Sequence, residues 1–317
     1  MRLQEHSDLR QMMALLKALW KLRPPAEPET PAGRLIRQWR EKRLLRRLER
    51  DWPGGFTLHR TGDLVYVPAP LDARGRRALL HPPRVHPVLL GFLQPGAVAI
   101  DVGANLGEWT LPLARAVGAA GRVIAAEPTP RSAAALEATL AANVLRQAKV
   151  IRAAIGDHDG TVEFAVPLVT SARSDTGTAR IGPASAGYEA LQVPLRSLDS
   201  LAAEHGLGRV DLIKIDVEGH EWQVLDGAAS LLDRHRPVLV LETGHEVNTD
   251  RRAINNRLRG LGYRILGILL DYGMAAADWP AYAALEPPFR AGDPHNLLLV
   301  PERFEPATAA SRNQIAV

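Results

Sequence analysis

The sequence predicts an α/β protein: a mostly parallel, Rossmann-like sheet with helices on both faces, preceded by a helical N-terminal arm. Three observations lead there. From residue 97 onward, short apolar runs alternate with helical patterns, as in parallel strands joined by crossover helices. Those runs are apolar throughout, so both faces of the sheet must be buried. The 317 residues are 46% hydrophobic and 23% charged, enough for one domain of this kind plus an accessory segment.

Residues 1–52 read as a basic helical arm. Leu9, Met12, Met13, Leu16, Leu19 and Trp20 fall at helical spacing, and "RPPAEPETP" then interrupts. Leu35, Ile36, Trp39, Leu44, Leu48 and Trp52 recur along a second helix. Residues 34–50 hold eight arginines and lysines against two glutamates, in a chain whose net charge is +4. The basicity therefore belongs to the arm, and the remainder is slightly acidic. The apolar stripe is expected to pack on the main domain or on a second copy in a homo-oligomer. Contact with a membrane surface or a nucleic acid is the alternative.

Residues 53–83 read as a hairpin and linker, "FTLHRTGDLVYVP" turning at Gly62-Asp63. The main domain is expected over 84–303, with a loose tail over 304–317. Within it, residues 84–93 read as a helix, followed by the strand entering "AIDVGANLGEWT". Next come strand "GRVIAAEP", helix "RSAAALEATLAANV" and strand "AKVIRAAIGD". "TVEFAVPL" and "LQVPLRSL" look like an added strand pair around a polar loop. Helix "LDSLAAEHG", strand "DLIKIDVEG" and one helix over "EWQVLDGAASLLDRH" follow. Strand "PVLVLETG", helix "DRRAINNRLRGLG" and a closing strand "HNLLLVPE" complete the reading.

No apolar run reaches 18 residues and no leader pattern is visible, so a cytoplasmic protein without a transmembrane segment is expected. With no cysteine, disulfides, thiolate metal sites and cysteine nucleophiles are excluded.

Ligands of such sheets bind beyond the carboxyl ends of the strands. Here those ends are acidic. The first strand offers Asp101, Gly103, Asn105 and Gly107, the second Glu127, the third Gly156 and Asp157, the fourth Asp216 and Glu218, the fifth Glu242. A dinucleotide pyrophosphate wants glycines and no neighbouring carboxylate. Asn105 and Glu108 occupy the second and third glycine positions of that fingerprint. S-adenosylmethionine fits better, having no phosphate but a positive sulfonium and a positive amino group. Asp101 would face that charge, Gly103 and Gly107 would let the backbone approach the ligand, and Glu127 would accept from both ribose hydroxyls.

The strings "AIDVGANLGEWT", "AAEPTPRSAAALEATLAAN", "AAIGDHDGTVEF" and "DLIKIDVEGHEWQVLDGA" stand in the order and spacing of the FkbM family of methyltransferases. The resemblance covers roughly residues 97–245. It implies a class I methyltransferase fold, S-adenosylmethionine as donor, and O-methylation of a hydroxyl on a sugar or natural product. The matching donor residues are Asp101, Gly103, Asn105, Gly107, Glu127 and Asp157, while Asp216, Glu218 and Glu221 fall in the second acidic motif.

Methyl transfer to an alcohol needs somewhere for the hydroxyl proton to go. Asp216, His220 and Glu242 are the candidate catalytic residues. Asp216, Glu218, Glu242 and His245 could instead hold Mg²⁺ or Mn²⁺. Glu221 also suits a first-turn helix acid. Trp109 and Trp222 could stack on a sugar or simply pack. Two rival functions stay open: a nucleic-acid methyltransferase gripping phosphates with the arm, and a non-catalytic binding or scaffold protein. Against the first, the fourth strand ends in "DVEG" and not in the Asn/Asp-Pro-Pro-aromatic sequence of amino-group methylation.

Overall fold

The computed structural model describes residues 39, 43, 51–59, 61–81, 87–171, 174–242, 248–270, 273–283 and 296–302. The expected arm helices lie outside the described residues, except that Trp39 and Arg43 are helical, the Arg43 guanidinium 5.6 Å from the Trp39 ring centroid. The tail over 304–317 lies outside them as well. No helix among the described residues is long and apolar enough to cross a membrane.

The chain forms two compact units, one of residues 1–82 and 167–176, the other of 83–166 and 177–317. In the first, β1 (Gly55–Leu58) and β2 (Leu64–Val67) pair antiparallel. Their loop runs from residue 59 to 63, wider than the expected two-residue turn. The His59 N–H bonds the Asp63 carbonyl and Gly62 sits at φ +85°. Helix α1 (Ala73–Leu80) occupies what reads as a linker. Asp72 caps it, one oxygen accepting from the Gly75 N–H at 2.7 Å and the other from the Thr176 hydroxyl at 2.6 Å. One buried carboxylate thus starts the helix and fastens the returning segment 167–176.

The second unit opens with α2 (Pro87–Leu90), which ends before the expected residue 93. It continues through β3 (Val98–Val102), α3 (Thr110–Val117), β4 (Arg122–Ala126), α4 (Pro130–Ala142) and β5 (Ala148–Ile151). The expected third strand then divides. β5 stays in the main sheet, while β6 (Ala154–Ile155) joins β7 (Gly160–Pro167), β8 (Arg180–Ile181) and β9 (Tyr188–Arg196) in a separate four-stranded sheet of order β6-β9-β7-β8. Phe164, Val193 and Leu195 form its small core.

After α5 (Leu198–Glu204) come β10 (Leu212–Ile215), α6 (Glu221–Asp226), α7 (Ala229–His235), β11 (Val238–Glu242) and α8 (Asn248–Gly260). The chain closes with β12 (Tyr263–Leu270), β13 (Gly273–Ala275), α9 (Trp279–Ala283) and β14 (Asn296–Pro301). The single helix expected over 221–235 breaks at Gly227, where an added Cβ would meet the Gly156 carbonyl oxygen at 1.9 Å. Asp199 restarts it by accepting from the backbone N–H groups of Ser230 and Leu231.

The main sheet has the order β13-β12-β14-β11-β10-β3-β4-β5. Its five strands from β11 to β5 are parallel, and β14 enters antiparallel beside β11. Every residue of β10 is buried. Alternate side chains point to opposite faces, so both faces are covered, as expected of an α/β class I methyltransferase sheet. The strand order reverses between β3 and β10, where ligand clefts open in such sheets.

Candidate active site

Four strands end side by side at that reversal, and their registers decide what meets. Asp101 on β3 is level with Ala125 on β4 and Lys214 on β10, and Lys214 with Val240 on β11. Two residues on, at the same pleat phase, stand Glu127, Gly103, Asp216 and Glu242. Three carboxyl-bearing residues thus stand in line with one glycine.

Gly103 lies at φ +80°, and a Cβ on it would sit 1.9 Å from the Asp216 carbonyl oxygen. Gly107, at φ +90°, would meet Leu136 at 2.5 Å. Both were expected to clear space for a ligand. The structure gives each an intrinsic reason, since the protein's own atoms fill those positions.

Between them Asn105 takes φ +45° and turns its N–H to Glu127 Oε2 at 2.8 Å. Glu127 Oε1 accepts from the N–H and hydroxyl of Thr129 at 2.9 and 2.5 Å. Burial outweighs these bonds and holds the Glu127 carboxyl above its ordinary pKa. Three of four lone-pair positions are filled, which leaves room for one further donor and not for the two ribose hydroxyls expected. A second would need the Thr129 hydroxyl to turn away.

Asp101 is fully buried. Its Oδ2 accepts from the Thr110 hydroxyl at 2.5 Å, while Oδ1 has no hydrogen-bond partner among the described residues. Burial raises its pKa, and the charge of Lys214 opposes the rise.

Lys214 is the site residue that the sequence reading passed over. Its side chain is 2% exposed, its ammonium lies 2.7 Å from Asp216 Oδ2 and 5.9 Å from the Trp109 ring centroid. Burial would lower its pKa, yet Asp216, Asp101 and Glu242 together raise it, so the amine is charged. A lone lysine inside the apolar run "DLIKID" was the available signal, because lysine is almost never fully buried unless paired.

The carboxylate oxygens of Asp216, Glu218 and Glu242 lie within 4.8 Å of one another. Burial, then the hydrogen bond and charge of Asp216, push Glu242 up to about 10. Glu242 and Asp216 share a hydrogen bond, so the pair holds a proton between them. A divalent ion here would compete with the Lys214 ammonium for Asp216 Oδ2. Glu218 sits at φ +53°. Among the non-glycine residues of positive φ, Val144 and Arg236 follow helices, whereas Asn105 and Glu218 lie in the loops after β3 and β10. Such strain clusters at functional loops.

Other candidates stand apart. Asp157 was expected at the third strand's end, but β5 closes at Ile151 and Asp157 follows β6. It is exposed there, 2.6 Å from His158 Nδ1, which holds its pKa below the ordinary value. His220 turns toward the same segment. A Cβ on Gly156 would lie 3.2 Å from His220 Nε2, and burial lowers the imidazole pKa. The charges it feels come from Asp157 and His158, not from Asp216 or Glu242. Glu221 is a buried first-turn acid of α6 that accepts from the Gly219 N–H. Trp222 lies under the Arg257 guanidinium at 5.4 Å. His245 lies outside the described residues.

Residues 101–265 match the family model described as the methyltransferase FkbM domain. AmbE of Pseudomonas aeruginosa, an AMB antimetabolite synthetase, is 29% identical over 211 residues, 55% of this chain. The chain spans only 10% of AmbE's length. A solved FkbM methyltransferase from Methylobacillus flagellatus shares 16% identity, with 93% of this chain and 60% of that chain covered at a TM-score of 0.43. An S-adenosylmethionine-dependent O-methyltransferase from Thermotoga maritima shares 14%, covering 80% and 79% at 0.39. The family match takes in more than half of the 317 residues and both acidic strand-end loops, and the chain belongs to the FkbM methyltransferase family.

Proposed function

We propose that this methyltransferase takes its methyl group from S-adenosylmethionine and delivers it to a hydroxyl oxygen of a sugar or natural product, with Asp216 receiving the hydroxyl proton. The observation that carries the reading is the Asp216 carboxylate just past the end of β10, two residues beyond Lys214, with one oxygen tied to the Lys214 ammonium.

A donor that brings positive charge and a ribose hydroxyl suits these acidic strand ends. Glu127 keeps one open acceptor position for a ribose hydroxyl, and Asp101 keeps one buried oxygen without a partner among the described residues. In the transfer, the acceptor oxygen bonds to the methyl carbon as the carbon–sulfur bond breaks. The electron pair leaves on sulfur and the hydroxyl proton passes to Asp216. A sulfonium is already a good electrophile, so positioning and one well-placed base suffice. AmbE is named as a synthetase of an antimetabolite, which favours a natural-product acceptor.

The test has two stages. Calorimetric titration with S-adenosylmethionine should show binding by wild type and by Asp216→Asn alike. Labelled methyl transfer to a panel of sugars and natural products should then fall roughly a hundredfold to ten-thousandfold in Asp216→Asn. Full turnover by that variant would remove Asp216 as the base. Chelator decides the rival chemistry: inhibition reversed by Mg²⁺ or Mn²⁺ would support a metal on Asp216, Glu218 and Glu242, and indifference supports the side-chain base.

A further inference from the structure

We propose that a cavity at the amino end of the main sheet, beside the end of α8, is a second ligand site of this protein, and that it takes a flat organic anion: a carboxylate carried on an aromatic ring.

The cavity lies away from the acidic strand ends. Tyr263 opens β12 level with Pro301 at the end of β14, and β14 runs antiparallel to β11. Both residues thus stand at the start of β11, whereas Glu242 stands at its end. The Tyr263 hydroxyl donates to the carbonyl of Pro237, one residue before β11, at 2.9 Å. A ligand held here is the length of a strand from the acid pair.

The walls are set by backbone bonds. The cavity holds about 500 Å³ between the last turn of α8, Tyr263, Arg264, Trp279 and Glu302, a volume that suits a small metabolite. Gly262, at φ +69°, turns the chain from α8 into β12. Its carbonyl accepts from the Glu302 N–H at 2.8 Å, and the Tyr263 carbonyl accepts from the Trp279 indole N–H at 3.3 Å. The indole is thereby oriented before any ligand arrives, which lowers the ordering cost of binding.

The charges name the ligand. Arg259 and Arg264 line the cavity with Glu302, so two guanidinium groups stand against one carboxylate and leave one positive charge. Both arginines are exposed, and among the described residues neither forms an ion pair with a carboxylate, Glu302 included. Neighbouring arginines are engaged: Arg257 with Asp226 and Arg236 with Asp233. A guanidinium fork matches a carboxylate and also stacks on flat rings, while the indole offers an apolar wall to a ring. A bare phosphate would use the arginines alone, and a neutral ring would leave them unanswered.

The experiment titrates the full chain in a calorimeter with 1-naphthoate as probe, against 1-naphthalenemethanol and inorganic phosphate. Arg259→Gln, Arg264→Gln and the double variant remove the cations from exposed positions, where folding is little affected. We expect 1-naphthoate to bind wild type with a Kd of roughly a millimolar or tighter, as a ligand of that size allows. The alcohol and phosphate should bind at least about tenfold more weakly, and each single variant should weaken 1-naphthoate by roughly three- to tenfold. Affinity for S-adenosylmethionine should be unchanged in the variants. Saturating S-adenosylmethionine should leave 1-naphthoate binding in place. No binding of 1-naphthoate, full binding by the double variant, or displacement by S-adenosylmethionine would each overturn the proposal. Phosphate binding as tight as that of 1-naphthoate would overturn the aromatic assignment.

Discussion

Glu127→Gln isolates the donor side of the site, and its effect can be worked from three hydrogen bonds. The wild-type carboxylate accepts from the Asn105 N–H, the Thr129 N–H and the Thr129 hydroxyl, with one position open. A glutamine keeps one acceptor oxygen. If that oxygen stays with Thr129, the new NH₂ group faces the Asn105 N–H, donor against donor. The partly buried N–H then goes unsatisfied, at a cost of about 1–3 kcal/mol to the unliganded fold. The ribose hydroxyl separately loses a charge-assisted partner worth about 1.5–3 kcal/mol, roughly a ten- to hundredfold weaker Kd for S-adenosylmethionine. Calorimetry on folded variant measures the second effect and thermal unfolding of the unliganded protein the first. Thr129→Val is the internal control. It frees a lone pair on Oε1, so donor affinity should hold or rise although a hydrogen bond has been deleted. Burial holds the Glu127 carboxyl above its ordinary pKa, so donor affinity in wild type should also begin to fall, on acidification, at a higher pH than an exposed glutamate would give. A folded Glu127→Gln with Kd within about threefold of wild type would refute the reasoning.

Three further outcomes follow from the same geometry. Gly103→Ala places a Cβ 1.9 Å from the Asp216 carbonyl oxygen at a φ of +80°, so denaturant unfolding should show a loss of more than about 3 kcal/mol or no folded protein. Gly227→Ala meets the Gly156 carbonyl oxygen at the same 1.9 Å at a helical φ of −71°, and should be destabilising through the clash alone. Glu242 is raised by burial to about 10 in the fold, so folding takes up a proton there and stability falls as pH rises from its ordinary value toward 10. Glu242→Gln should flatten that decline, and thermal unfolding curves whose slope with pH matches wild type would count against it.

The sheet was readable because its physics is written in local pattern. Apolar runs such as "DLIKI" and "PVLVLE" are long enough for strands and too uniform for surface helices. What escaped depended on contacts distant in sequence. "EWQVLDGAASLLDRH" carries an unbroken helical pattern, yet Gly227 packs on the Gly156 carbonyl and Asp199, from α5, caps a second helix at Ser230 and Leu231. "AKVIRAAIGD" reads as one strand, yet its two ends belong to different sheets. That division places Asp157 after a strand of the smaller sheet and not at a strand end of the main one. No strand was expected over β12, which pairs with β14 through its run "YRILGILL".

The charge at the mouth of the site shows the same limit more sharply. Asp101, read alone, asks for a positive ligand, and the sequence reading gave it one from outside. In the fold a positive partner is already present, because register places Lys214 level with Asp101 on the neighbouring strand. The two positions are 113 residues apart, and no local pattern joins them. The correction changes what the donor must supply. A pocket of unpaired acids would bind almost any cation, whereas one neutralised from within leaves only particular oxygens open: Asp101 Oδ1 and one position on Glu127. Affinity then comes less from net charge than from where those few acceptors point, which is the kind of recognition that discriminates between ligands of equal charge. S-adenosylmethionine binding should accordingly weaken only modestly with added salt, far less than a cluster of exposed carboxylates would predict. A steep salt dependence of Kd in calorimetry would mean that the acids act as an open cationic trap and that Lys214 does not neutralise them.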